Sequence, residues 1–93
     1  MVKTLFGQMQ KGKVNRTLFS DDFNEYLTEE RVAGAARRLK RYGAPQSVEL
    51  VNANERGGME VTVTKLSFKS QTLHALMYRM PSGRVEQLFI SAE

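Results

Sequence analysis

A chain of 93 residues has room for one domain and one modest core. Apolar residues make up 41% and charged residues 26%, the proportions of an ordinary globular domain rather than a disordered one. The net charge of +4 is too small a basic bias to identify a nucleic-acid binder by itself. Cysteine is absent, which excludes disulfides, thiolate chemistry and cysteine-ligated metal. No stretch approaches the roughly 20 apolar residues of a membrane span, and Met1–Phe6 lacks the pattern of a secretory signal. The chain is therefore expected to stay out of the membrane. As it stands it reads as cytoplasmic; cut from a larger protein, it would read as exported.

The first segment has helical periodicity. Val2, Leu5, Phe6 and Met9 share one face, and Gly12 is a natural stop. After the turn Lys13–Thr17, Ser20 has the character of an N-cap, with Asp21 and Asp22 in the first turn where the helix dipole favours acids. Phe23, Tyr26 and Leu27 supply the inward face of this second helix. The third is the best signalled. Thr28 caps it, Glu29 and Glu30 follow, and Leu27 and Val32 occupy the positions of a hydrophobic staple. Val32, Ala35, Ala36 and Leu39 form an apolar stripe. Arg37, Arg38, Lys40 and Arg41 crowd the last turns, Gly43 provides a left-handed stop, and Pro45 prevents continuation.

From Gln46 onward the period changes to two. Val48 and Leu50 alternate with polar residues, as do Met59, Val61 and Val63. Leu66 and Phe68 continue on the opposite phase, which predicts a bulge near Thr64–Lys65. Leu73–Met80 is apolar on both phases, the mark of a strand covered on both faces, and Val85–Ile90 makes a fourth strand. Turn residues separate them at Gly57-Gly58, Lys69-Ser70-Gln71 and Pro81-Ser82-Gly83. The expected fold is one α+β domain over residues 1–93. Two to three N-terminal helices pack on a bent four-stranded antiparallel meander and cover one of its faces.

Five stretches carry a resemblance. They are Gln10–Arg16, Phe23–Thr28, Tyr42–Pro45, Arg56–Met59 and Pro81–Gln87. Their order resembles small bacterial modules of unknown function, often appended to exported serine hydrolases or peptidases. These modules are related to the cystatin-like, or nuclear-transport-factor-two-like, superfamily. The resemblance spans about residues 5–90 and implies a cone between helix and sheet. Enzymes of that superfamily, such as ketosteroid isomerases and polyketide cyclases, place acid–base groups inside the cone. The only aspartates here, Asp21 and Asp22, lie in a helix start instead. An Sm-like bent sheet behind an N-terminal helix is the rival architecture.

No constellation of residues spells out a reaction. His74 is the sole histidine and reads as a partly exposed strand residue; as a general base it would need an orienting partner. The six serines Ser20, Ser47, Ser67, Ser70, Ser82 and Ser91 show no nucleophile elbow, and Gly57-Gly58 lacks the spacing of a phosphate loop. No cofactor or metal is indicated. The leading expectation is a non-catalytic interaction or dimerisation module, a homodimer or a domain docked onto a larger protein, with Met77, Met80 and Phe89 on an apolar sheet face. One alternative is a small-ligand or weakly enzymatic cone in which Tyr26, His74 and Tyr78 are the polar groups. Another is weak nucleic-acid binding through Arg37, Arg38, Lys40 and Arg41.

Overall fold

The computed structural model describes residues 1–92. Three helices precede four strands. The helices are α1 (Val2–Lys11), α2 (Asp21–Tyr26) and α3 (Glu29–Leu39), with short 3₁₀ turns at Arg16–Leu18 and Lys40–Tyr42. The strands are β1 (Ser47–Arg56), β2 (Met59–Ser67), β3 (Thr72–Arg79) and β4 (Val85–Ala92). They pair antiparallel in chain order, so β1 and β4 are the edges of an open sheet. The α+β architecture expected from the sequence is the one observed.

Local chemistry sets the helix ends where the sequence places them. The Ser20 hydroxyl accepts from the Phe23 amide at 3.1 Å and the Thr28 hydroxyl from the Arg31 amide at 3.2 Å, each satisfying an N–H that the helix leaves unpaired. At the other end of α1, Gly12 adopts φ 69° and its amide returns to the last carbonyls of the helix. Gln10 reaches across from α1 to donate to the carbonyls of Leu39 and Gly43, which closes the end of α3. In the β1–β2 hairpin, Gly57 and Gly58 both have positive φ, the geometry that matches the twist of the flanking strands.

The core lies between the helices and one sheet face. Leu5, Phe6 and Phe19 from the helical half meet Leu66 and Val85 from the sheet, all fully buried. Leu73, Ala75 and Met77 line the floor on β3. Phe6 and Tyr42 both pack on the ring of Phe68, at 5.6 and 5.4 Å between centroids. Each large apolar side chain so buried contributes about 1.5–3 kcal/mol.

The halves are clasped at one point. Phe19 forms a parallel bridge with Val85, and the Ser20 amide donates to the Val85 carbonyl at 2.9 Å. Arg84 extends the clasp: its Nε donates to the Phe19 carbonyl at 2.8 Å, and its guanidinium pairs with Asp21 at 3.0 Å.

Two expectations fail in instructive ways. No bulge interrupts β2 at Thr64–Lys65; its pairing with β1 and β3 is continuous there. The apolar residues simply change face along the strand, Val61 and Val63 lying outside and Leu66 inside. The irregularities fall instead between Leu50 and Asn52 and between Tyr78 and Arg79. The helices also fail to cover a whole sheet face. β1 is exposed along all ten residues, although Val48 and Leu50 alternate as if one side were buried.

The Thr62 hydroxyl, on the inner face of β2, is buried without a hydrogen-bond partner, the one such side-chain group among the described residues. An unpaired buried hydroxyl costs stability. Thr62→Val is expected to leave stability unchanged or raise it by up to about 1 kcal/mol, whereas Phe6→Ala should cost about 3–5 kcal/mol. Urea unfolding followed by circular dichroism measures both.

Candidate interaction surfaces

Strand parity decides where each candidate residue points. On β3, Leu73, Ala75 and Met77 face the helices and are buried. His74, Leu76 and Tyr78 therefore face the other way. Register places His74 opposite Lys65 on β2 and Ser91 on β4, and Tyr78 opposite Val61 and Gln87. All remain half-buried except Val61, which is buried, and Ser91, which is exposed. Among the described residues, no element of the chain covers this outer face.

The residues expected to form a ligand cone do not converge. Tyr26 sits at the end of α2 in the helical layer, with the Arg31 guanidinium stacked over its ring at 4.3 Å. His74 and Tyr78 project from the opposite side of the sheet. The space between helices and sheet, where a cone would open, is filled by Phe6, Phe19, Phe23 and their neighbours. Nor do three potential metal ligands cluster anywhere among the described residues.

The three residues expected at an interface also separate. Met77 belongs to the core beneath the helices, because it shares parity with Leu73 and Ala75. Met80 lies just beyond β3, half-buried at a polar cleft of about 710 Å³ beside the Glu60–Arg79 ion pair. Only Phe89 is presented to solvent, 52% exposed on the outer side of β4.

The basic run divides as well. Arg41 lies along the Tyr42 ring at 4.9 Å and donates to its hydroxyl, so it is held at the end of the helical layer. Arg38 turns to the groove beside β4. The four cations thus do not make one stripe along a helix, the arrangement that tracks a phosphate backbone most effectively.

Sequence patterning missed two features. The first is the uncovered β1. Val48, Leu50 and Val51 are 39%, 60% and 54% exposed, on a strand whose outer edge has no pairing partner among the described residues. The second is a groove of about 700 Å³ between α3 and the free edge of β4. Phe23, Leu27, Ala35 and Leu39 form its helical wall, and Leu88 and Ile90 its strand wall. The signal for the first was available: after the 3₁₀ turn Lys40–Tyr42, residues 43–46 lead straight into β1 with no further helix to cover it.

No protein-family model, curated protein or solved structure matches this chain. No helix among the described residues is long and apolar enough to cross a membrane.

If His74 is an outer-face residue without a catalytic or core role, His74→Gln should change stability by no more than about 0.5 kcal/mol. Chemical denaturation of the two proteins under identical conditions checks this.

Proposed function

We propose that this domain is a non-catalytic protein-interaction module that docks onto a larger protein through β1 and the adjoining outer sheet face. The observation that carries the reading is the exposure of β1 along its whole length, with three large aliphatic side chains in water on an unpaired edge. Such an edge is a template for another strand: its free N–H and C=O groups supply main-chain hydrogen bonds, and its side chains supply contact area. Val48 and Leu50 share one side, opposite Leu66 and Thr64, and Val51, the extra residue at the register shift between Leu50 and Asn52, alternates to the other. A partner strand added there would meet apolar residues above and below the pairing plane.

The outer face suits the same role. Val63, Leu76 and Tyr78 give it an apolar strip, with Asn52, Asn54 and Lys65 as polar neighbours. Apolar surface flanked by polar residues is the usual anatomy of an interface. The element order is also compatible with the compact cystatin-like modules that the sequence resembles, whose attachment to hydrolases would make docking a natural task.

The test separates binding from folding. Leu50→Asp combined with Val51→Asp should shift stability by less than about 1 kcal/mol, since both side chains are already largely solvated. A photo-crosslinking residue at position 50, in the source cells, should give one discrete protein adduct that a residue at Glu25 does not. The same adduct from a crosslinker moved to Val48 should vanish in the double variant. Crosslinking no stronger at position 50 than at position 25 would count against the reading.

A further inference from the structure

A second surface lies on the opposite edge of the sheet, and its features select an occupant. The clasp occupies the β4 edge at Val85. Residues 86–92 keep a free edge, and the groove runs beside it. From the α3 side the groove is met by Arg31, Gly34, Ala35 and Arg38, spaced i, i+3, i+4 and i+7 on one helical face. The centre of that face is small, and its ends are cationic.

Charge in the α2–α3 layer is segregated along its length. Residues 21–30 contain Asp21, Asp22, Glu25, Glu29 and Glu30 and no Lys or Arg. Residues 31–41 contain Arg31, Arg37, Arg38, Lys40 and Arg41 and no Asp or Glu. Among the described residues, only Asp21 of these ten is in an ion pair. The direction of this dipole relative to β4 is fixed. Its acidic start is tied to the start of β4 by the Phe19–Val85 bridge. Its basic end lies towards the end of β4: Tyr42 packs on Phe68, just past β2, and the paired Leu66, Leu73 and Ala92 lie side by side there.

We infer that the groove is filled by a second copy of this chain, in a two-fold dimer that pairs β4 antiparallel with β4. The free edge is centred on Phe89, so a two-fold axis there sets Phe89 against Phe89 and Leu88 against Ile90 of the second copy. The two sheets become one of eight strands. Leu88 and Ile90, half-buried against the core of their own subunit, are then covered. Gly34 and Ala35 let the two α3 helices draw together. Antiparallel symmetry lays the acidic start of each α2–α3 layer on the basic end of the other, so Asp22 and Glu86, which line one end of the groove, face Arg38 of the second copy. The same patch serves both subunits, as a closed two-fold interface requires. This interface uses the edge opposite β1, so it stands or falls separately from the docking reading.

Light scattering across a micromolar-to-millimolar concentration series tests it on the full chain. The expected mass rises from 10.6 kDa to twice that value. Arg38→Glu and Asp22→Lys are each expected to weaken the dimer by about 10-fold and to leave the circular dichroism spectrum unchanged. An equimolar mixture of the two variants should regain most of the affinity, because both pairs between positions 22 and 38 are again attractive and only one of the two Glu86 contacts stays repulsive. Added salt should weaken the unmodified dimer. A monomer at all concentrations overturns the inference. So does a dimer that neither reversal weakens, or one that Leu50→Asp abolishes while Arg38→Glu does not.

Discussion

The fold depends on one junction, where Phe19 and Ser20 meet Val85. The helical half and the sheet are consecutive blocks of sequence, and each is held together mostly by its own local hydrogen bonds. The junction joins residues more than sixty positions apart: the Ser20 amide bonds the Val85 carbonyl, the Ser20 hydroxyl reaches Glu86, and Arg84 spans from the Phe19 carbonyl to Asp21. It also buries two of the largest core contributors, Phe19 and Val85, side by side. Shielding of this kind makes a bond costly to break, since a separated partner would leave a desolvated group unpaired.

The junction also determines what is left open. It fixes α2 against the start of β4, so the helices lie over β2, β3 and β4 and stop short of β1. The sheet is consequently asymmetric. One edge is partly occupied by the chain's own backbone and flanked by a helix, and the other is bare. A four-stranded meander would otherwise present two equivalent edges. Here the two edges are chemically different, which allows a small domain to make two distinct contacts without one competing with the other.

The elements governed by short-range chemistry were legible from the sequence. Ser20 and Thr28 as caps, Gly12 as a stop and Gly57-Gly58 as a hairpin turn each act within a few residues, and each lies where expected; α3 itself ends at Leu39, and Gly43, with φ 68° but ψ −159°, closes the 3₁₀ turn that follows rather than the helix. The α+β class and strand order followed from the change of period at Gln46. The face assignments were harder to read. A period of two says that His74 and Tyr78 share a side, but which side meets the helices depends on Leu73, Ala75 and Met77 packing under α1 and α3. That packing is a tertiary fact, and it also removed Met77 from the surface and parted Tyr26 from His74. The bulge was misplaced for a similar reason. Leu66 and Val63 lie on different faces without any irregularity between them, while Leu50 and Val51, both apolar, give no hint that the chain shifts register there.

β1 is unusual in adding hydrogen bonds and length to the sheet while lending almost nothing to the core. Its side chains therefore sit outside the network of mutual constraint that restrains Phe6 or Leu66. Random substitution at Val48, Leu50 or Val51 would pass the folding requirement nearly unopposed, and mutational drift would tend to replace aliphatic residues in water with polar ones. Any pressure that keeps those three positions aliphatic over generations must come from outside the domain, so their variability in descendants of this chain is a direct record of whether something binds there.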